Sequence, residues 1–176
     1  MTATTDTIKP LILAFEDDGL VPNNVLPLVV YKGVVDVPAR LPEHAVEALF
    51  EGNGWGQTWR DGIYDFQHYH ATVHEALGVA RGRALVLFGG EQGEAVEITA
   101  GDVAVLPAGT GHKCVFASDD LSVVGAYPPG ATMQVTRPTP GNYRRARTVI
   151  PKVKLPKNDP VFGPDGPLVR IWKSAS

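Results

Sequence analysis

The sequence predicts an all-β protein, a sandwich or barrel, and three observations carry that expectation. Short apolar runs rich in β-branched residues recur at close intervals from Ile63 to Tyr127. Turn formers separate them, at Gly89-Gly90 through Gly93, at Gly101-Asp102 and from Pro107 to Gly111. A single stretch, beginning at Pro42, has its apolar residues at helical spacing.

In chain order, residues 11–15 (Leu-Ile-Leu-Ala-Phe) and 26–31 (Leu-Pro-Leu-Val-Val-Tyr) read as strands, separated by Asp17-Asp18-Gly19 and Pro22-Asn23-Asn24. Residues 42–51 read as a short helix. Pro42 stands in its first turn, Val46, Leu49 and Phe50 form an i, i+3, i+4 stripe, and Gly52 ends it. Residues 52–62, rich in Gly and holding Trp55 and Trp59, read as an ordered loop pinned by aromatic anchors. Strands follow over residues 83–88, 96–98, 103–106, 113–116 and 121–127. Beyond Pro128-Pro129-Gly130 the composition turns to Pro and basic residues, which predicts an extended tail docked by Val161, Phe162, Leu168 and Trp172. The expectation is one domain over residues 1–176. It has N-terminal strands and a helix at 8–52, a core at about 60–128 and a docked tail at 129–176.

Composition narrows the function classes. A chain of 176 residues, 44% hydrophobic and with both charge signs present, can bury a sizeable core. A net charge of −3 without a Lys/Arg block gives no footprint for nucleic acid or anionic lipid, so neither is expected as a partner. Arg144, Arg145 and Arg147 read as solvated surface. The single Cys114 excludes an internal disulfide framework, and the first residues, Met-Thr-Ala-Thr-Thr-Asp-Thr, have neither a basic nor an apolar leader region. A cytoplasmic location is the expectation.

The chemistry concentrates between Gly62 and Gly82. His68 and His70 are two apart, so on an extended segment both imidazoles point the same way. In the run Glu75-Ala-Leu-Gly-Val-Ala, Glu75 shares its face with Leu77 and Val79, while His74 shares the other with Ala76, Gly78 and Ala80. A carboxylate on an apolar face needs a partner or a cation. An apolar strand from Val103 runs into the turn after Pro107, and His112 begins the return, beside the earlier residues if the sheet closes.

These residues match the two motifs of the cupin superfamily. The first, Gly-x5-His-x-His-x3-4-Glu-x6-Gly, is met by Gly62, His68, His70, Glu75 and Gly82. The second, Gly-x5-Pro-x-Gly-x2-His-x3-Asn, is met by Gly101, Pro107, Gly109 and His112, with Phe116 where the motif has Asn. Pro22-Asn-Asn, Glu47-Ala-Leu-Phe, Asn53-Gly-Trp-Gly, Gly125-Ala-Tyr-Pro and the segment from Asp159 to Leu168 extend the likeness over nearly the whole chain. In these the sequence resembles the YjlB-type bacterial cupins. The resemblance implies a double-stranded β-helix, a jelly-roll-like barrel, with one short helix before the metal-site strand.

It also implies one divalent ion, Fe, Mn, Ni, Co or Zn, held by His68, His70, Glu75 and His112, with coordination positions left for substrate. His74 is either a surface group, an acid/base beside the ligands or a substitute ligand. Tyr69, Trp55 and Trp59 are candidates to line a substrate pocket. The expected function is a metal-dependent enzyme acting on a small molecule, with a dioxygenase narrowly favoured. The alternatives are a metal-dependent isomerase or lyase, and a non-catalytic sensor or structural barrel. Cupins commonly pair through sheet edges, so a homodimer is expected.

Overall fold

The computed structural model describes residues 8–130 and 132–176; the polar start over residues 1–7 lies outside them. Among the described residues nine strands form two antiparallel sheets. They are β1 Leu11–Leu13, β2 Leu28–Tyr31, β3 Gly56–Asp61, β4 Glu75–Arg81, β5 Arg83–Phe88, β6 Glu94–Thr99, β7 Val103–Leu106, β8 His112–Ala117 and β9 Ser122–Tyr127. The larger sheet runs β1-β2-β7-β4-β9-β3, and the smaller runs β6-β5-β8.

The larger sheet is covered on both faces. On one, Leu77, Val79, Leu106 and Val123 meet Val86, Phe88 and Ile98 of the smaller sheet. On the other, Ala76, Val103, Val105 and Val124 meet Phe50, Leu168 and Trp172. Double coverage explains why β4 is buried at each position from Glu75 to Ala80, with no polar face to alternate.

The expected helix is α1, Pro42–Gly52, and it buries Val46 and Phe50. It lies close because β4 carries Gly78 beneath it. A Cβ there would stand 2.5 Å from Val46 Cγ1 and 2.9 Å from Phe50 Cζ.

Two expectations are corrected. The Gly/Trp segment is not a loop throughout: residues 56–61 form β3, paired with β9. The tail is not extended either, for it carries two helices, α2 Pro140–Val149 and α3 Pro167–Ala175. Thr139 caps α2 by accepting from the Asn142 N–H, with Pro140 in the first turn. In α3, Leu168 and Trp172 are four apart and both buried. The tail is fastened polarly too. Trp172 Nε1 donates to the Pro27 carbonyl at 2.9 Å, and buried Asp159 accepts from the Tyr31 hydroxyl and the Val161 N–H.

Candidate metal centre

His68 and His112 face each other across a two-way backbone bridge, the His68 N–H donating to the His112 carbonyl at 3.2 Å and the reverse bond closing at 2.9 Å. On its other side Tyr69 bridges Thr136, so residues 68–70 are extended. Alternation therefore holds. His68 and His70 point to one side, and Tyr69 to the other, where it joins Val21, Ala146 and Ile150 in a separate buried cluster. Glu75 enters from the start of β4 and His112 from the start of β8.

The structure thus gathers His68, His70 and His112, with one ligand atom of each within 4.8 Å of the others. Glu75 Oε2 lies 3.2 Å from His70 Nε2, and Glu75 Oε1 lies 3.4 Å from His112 Nε2. All four side chains are buried.

The hydrogen bonds of the rings show what this cluster can hold. His68 Nδ1 faces the Phe66 carbonyl at 3.0 Å, His70 Nδ1 that of Gln134 at 2.9 Å, and His112 Nδ1 that of Thr110 at 3.0 Å. A carbonyl accepts and never donates, so each Nδ1 carries the proton and each neutral ring presents an Nε2 lone pair. Three inward lone pairs beside a buried carboxylate repel one another unless a cation or a proton lies between them. This donor set fits a divalent ion, and the carbonyl partners hold the rings as such an ion requires.

Protonation follows the same logic. Burial pushes the Glu75 carboxyl up, but His70 and His112 outweigh it and hold it below the usual carboxylate range. Burial pushes His70 down, yet the Glu75 carboxylate wins and raises it. His68, buried and facing His112, is lowered to about 3 and stays neutral.

A pocket of about 370 Å³ opens over the cluster, walled by Trp59, Ile63, Tyr64, Leu77, Tyr127, Met133 and Val135. Of the three aromatic candidates, Trp59 lines it. Trp55 and Tyr69 do not: Trp55 is buried against the tail, its Nε1 donating to the Asn158 carbonyl at 2.9 Å, and Tyr69 packs under α2. Tyr69 faces away because it sits one residue out of phase with His68 and His70; Trp55 lies before β3, in the turn that closes α1, its backbone N–H donating to the Phe50 carbonyl at 2.9 Å. His74 is likewise not a surface group. Its Nδ1 accepts from the Ala108 N–H at 2.9 Å, its Nε2 faces the Lys154 carbonyl at 3.2 Å, and its ring packs on Trp172. Tyr127, present in the Gly125-Ala-Tyr-Pro likeness but given no role by it, lines the pocket and donates to Glu75 Oε2 at 2.9 Å. Its signal was its place at the end of the inward face of β9.

Comparison with known proteins places the chain beside one curated relative. It is 37% identical over 159 residues to the uncharacterised protein YjlB of Bacillus subtilis (strain 168), covering 90% of this chain and 93% of that one. No family model matches. Among solved structures, dTDP-4-dehydrorhamnose 3,5-epimerase from Elizabethkingia anophelis is 16% identical with a TM-score of 0.40, over 68% of this chain and 73% of that one. Acireductone dioxygenase from Bacillus anthracis, with a cadmium ion in its active centre, is 15% identical with a TM-score of 0.35, over 52% and 63%. Neither likeness is close enough to carry a statement about chemistry.

Proposed function

The chain belongs to the family of YjlB, a branch of the cupins, and from that premise we propose that it is a metal-dependent enzyme acting on a small organic molecule, with dioxygen chemistry the favoured reaction. The observation that carries this reading is the convergence of three buried imidazoles and the Glu75 carboxylate on the floor of an accessible pocket. Bound there, a divalent ion supplies Lewis-acid polarisation or, where it is redox-active, reaction with dioxygen. His68, His70, His112 and Glu75 would hold it, as Fe, Mn, Ni, Co or Zn.

The rest of the pocket selects what enters. Ile63, Leu77, Met133 and Val135 give apolar walls. Arg60, the cation among the described lining residues, is held by two hydrogen bonds to Glu47, at 2.6 and 2.7 Å. That pairing already offsets the guanidinium charge, and on this ground uncharged substrates are favoured. Among the described residues no helix is long and apolar enough to cross a membrane. We place the chain in the cytoplasm, as a homodimer paired through the edge strand β1, whose Leu11 and Ile12 are exposed.

The test is oxygen uptake by the Fe(II)-loaded protein across a panel of small uncharged molecules. Uptake that stops in His112→Ala supports the reading. Native zinc and no uptake would move the assignment to an isomerase or lyase, and a protein that binds no metal would move it to a sensor or structural barrel.

A further inference from the structure

Tyr127 links the candidate ligand Glu75 to a pocket-wall residue. An indole N–H only donates, so Trp59 Nε1 donates to the Tyr127 oxygen, at 2.7 Å. Tyr127 then has its own proton for Glu75 Oε2, at 2.9 Å. The chain of bonds has one direction, from Trp59 through Tyr127 to the carboxylate.

Backbone irregularity brings Trp59 there. β3 pairs with β9 as Gly56 opposite Tyr127 and Trp59 opposite Gly125, so three steps on β3 match two on β9. Strict alternation from Gly56 would turn Thr58 toward the pocket and Trp59 away from it; the extra residue reverses this. The bulge carries Gln57 at φ 54, a left-handed conformation that non-glycine residues adopt at a cost. Gly125 completes the seat, since a Cβ there would lie 2.0 Å from Trp59 Cε2.

We propose that Tyr127 and Trp59 are positioning residues that fix the orientation of the Glu75 carboxylate toward a bound metal ion. With Oε2 accepting from Tyr127, Oε1 is the stronger remaining donor to an ion at the histidine cluster. Trp59 fixes the tyrosine hydroxyl, and because its ring is also a pocket wall, whatever occupies the pocket presses on the residue that orients a ligand. The inference rests on the metal reading above.

The experiment is titration of the metal-free full-length protein with Co(II), read by its visible absorption bands. Wild type is expected to take up the ion with a defined spectrum. Tyr127→Phe is expected to bind about 10–100-fold more weakly, the usual cost of losing a partner behind a ligand, and to shift the bands. Trp59→Phe should change both in the same direction by less, and the double variant should bind no more weakly than Tyr127→Phe alone, because Trp59 acts through Tyr127. A merely structural pair would lower the melting temperature and leave affinity and spectrum as in wild type; that result overturns the proposal. If Tyr127→Phe does not fold, Trp59→Phe decides by the same readings. Absence of Co(II) binding in wild type would instead sink the metal reading, and this inference with it.

Discussion

Each of the three clustered imidazoles has its Nδ1–H engaged by a backbone carbonyl, which makes its loss specific. His70→Ala or His112→Ala should abolish metal binding, by elemental analysis, in a protein whose far-ultraviolet circular dichroism is unchanged. His74→Ala should keep its metal and lose stability instead. It leaves the buried Ala108 N–H unpaired, at about 1–3 kcal/mol, and opens a gap against Trp172. The pH dependence of that site has a definite sign. Burial lowers His74 from 6.5 to about 4, so below 6.5 the unfolded chain takes up a proton that the folded protein refuses. Stability is therefore full above 6.5 and falls as pH drops toward 4, by an amount of the order of 3 kcal/mol. Denaturant melts of metal-free protein across this range should show a smaller fall in His74→Asn. The period-2 pattern made His68, His70 and the inward face of Glu75 legible in the sequence. The partners of His74 were not, because Ala108 and Lys154 are brought to it by the turn after β7 and by the tail. Trp59 was named for its nearness, but its link to Tyr127 depends on a bulge that no residue pattern announces.

At the scale of elements, α1 is the piece whose seat can be tested by one atom. Gly78→Ala puts a methyl where Val46 and Phe50 already stand, and overpacking of this kind costs about 1–3 kcal/mol. In a chain of this size that lowers the melting temperature by about 2–4 °C per kcal/mol, measurable by calorimetry. The site lies on the opposite face of the larger sheet, so metal content should hold. Helix α1 was legible because its proline start, apolar stripe and glycine stop agree. The starts of α2 and α3 are written as plainly, Thr139-Pro140 and Gly166-Pro167, with Leu168 and Trp172 one turn apart. Dense proline between them, from Pro138 to Pro167, resembles the composition of an extended chain and hid two helices that begin at those very prolines. Strand β3 was obscured for another reason: Gly52, Gly54 and Gly56 suppress strand propensity, and its pairing with β9 overrides it.

On the scale of the whole molecule, two sheets and a helical layer make one enclosure, with the larger sheet between the smaller sheet and helices α1 and α3. The two-sheet, all-β architecture was legible in the recurrence of short strands; the double coverage of β4 was not, since a run buried on both faces has no alternation to read. A dimer through β1 predicts that light scattering at micromolar concentration gives twice the chain mass, and that Ile12→Lys, a charge on the edge strand, gives the monomer. A wild type that is monomeric would remove that pairing and leave the metal centre untouched. The centre itself is tested most directly by elemental analysis of untagged protein, purified without chelator, beside its His68→Ala/His112→Ala double variant. Near-stoichiometric iron, manganese, nickel, cobalt or zinc is expected in the wild type and none in the variant. Equal metal in both, or none in either, would contradict the assignment.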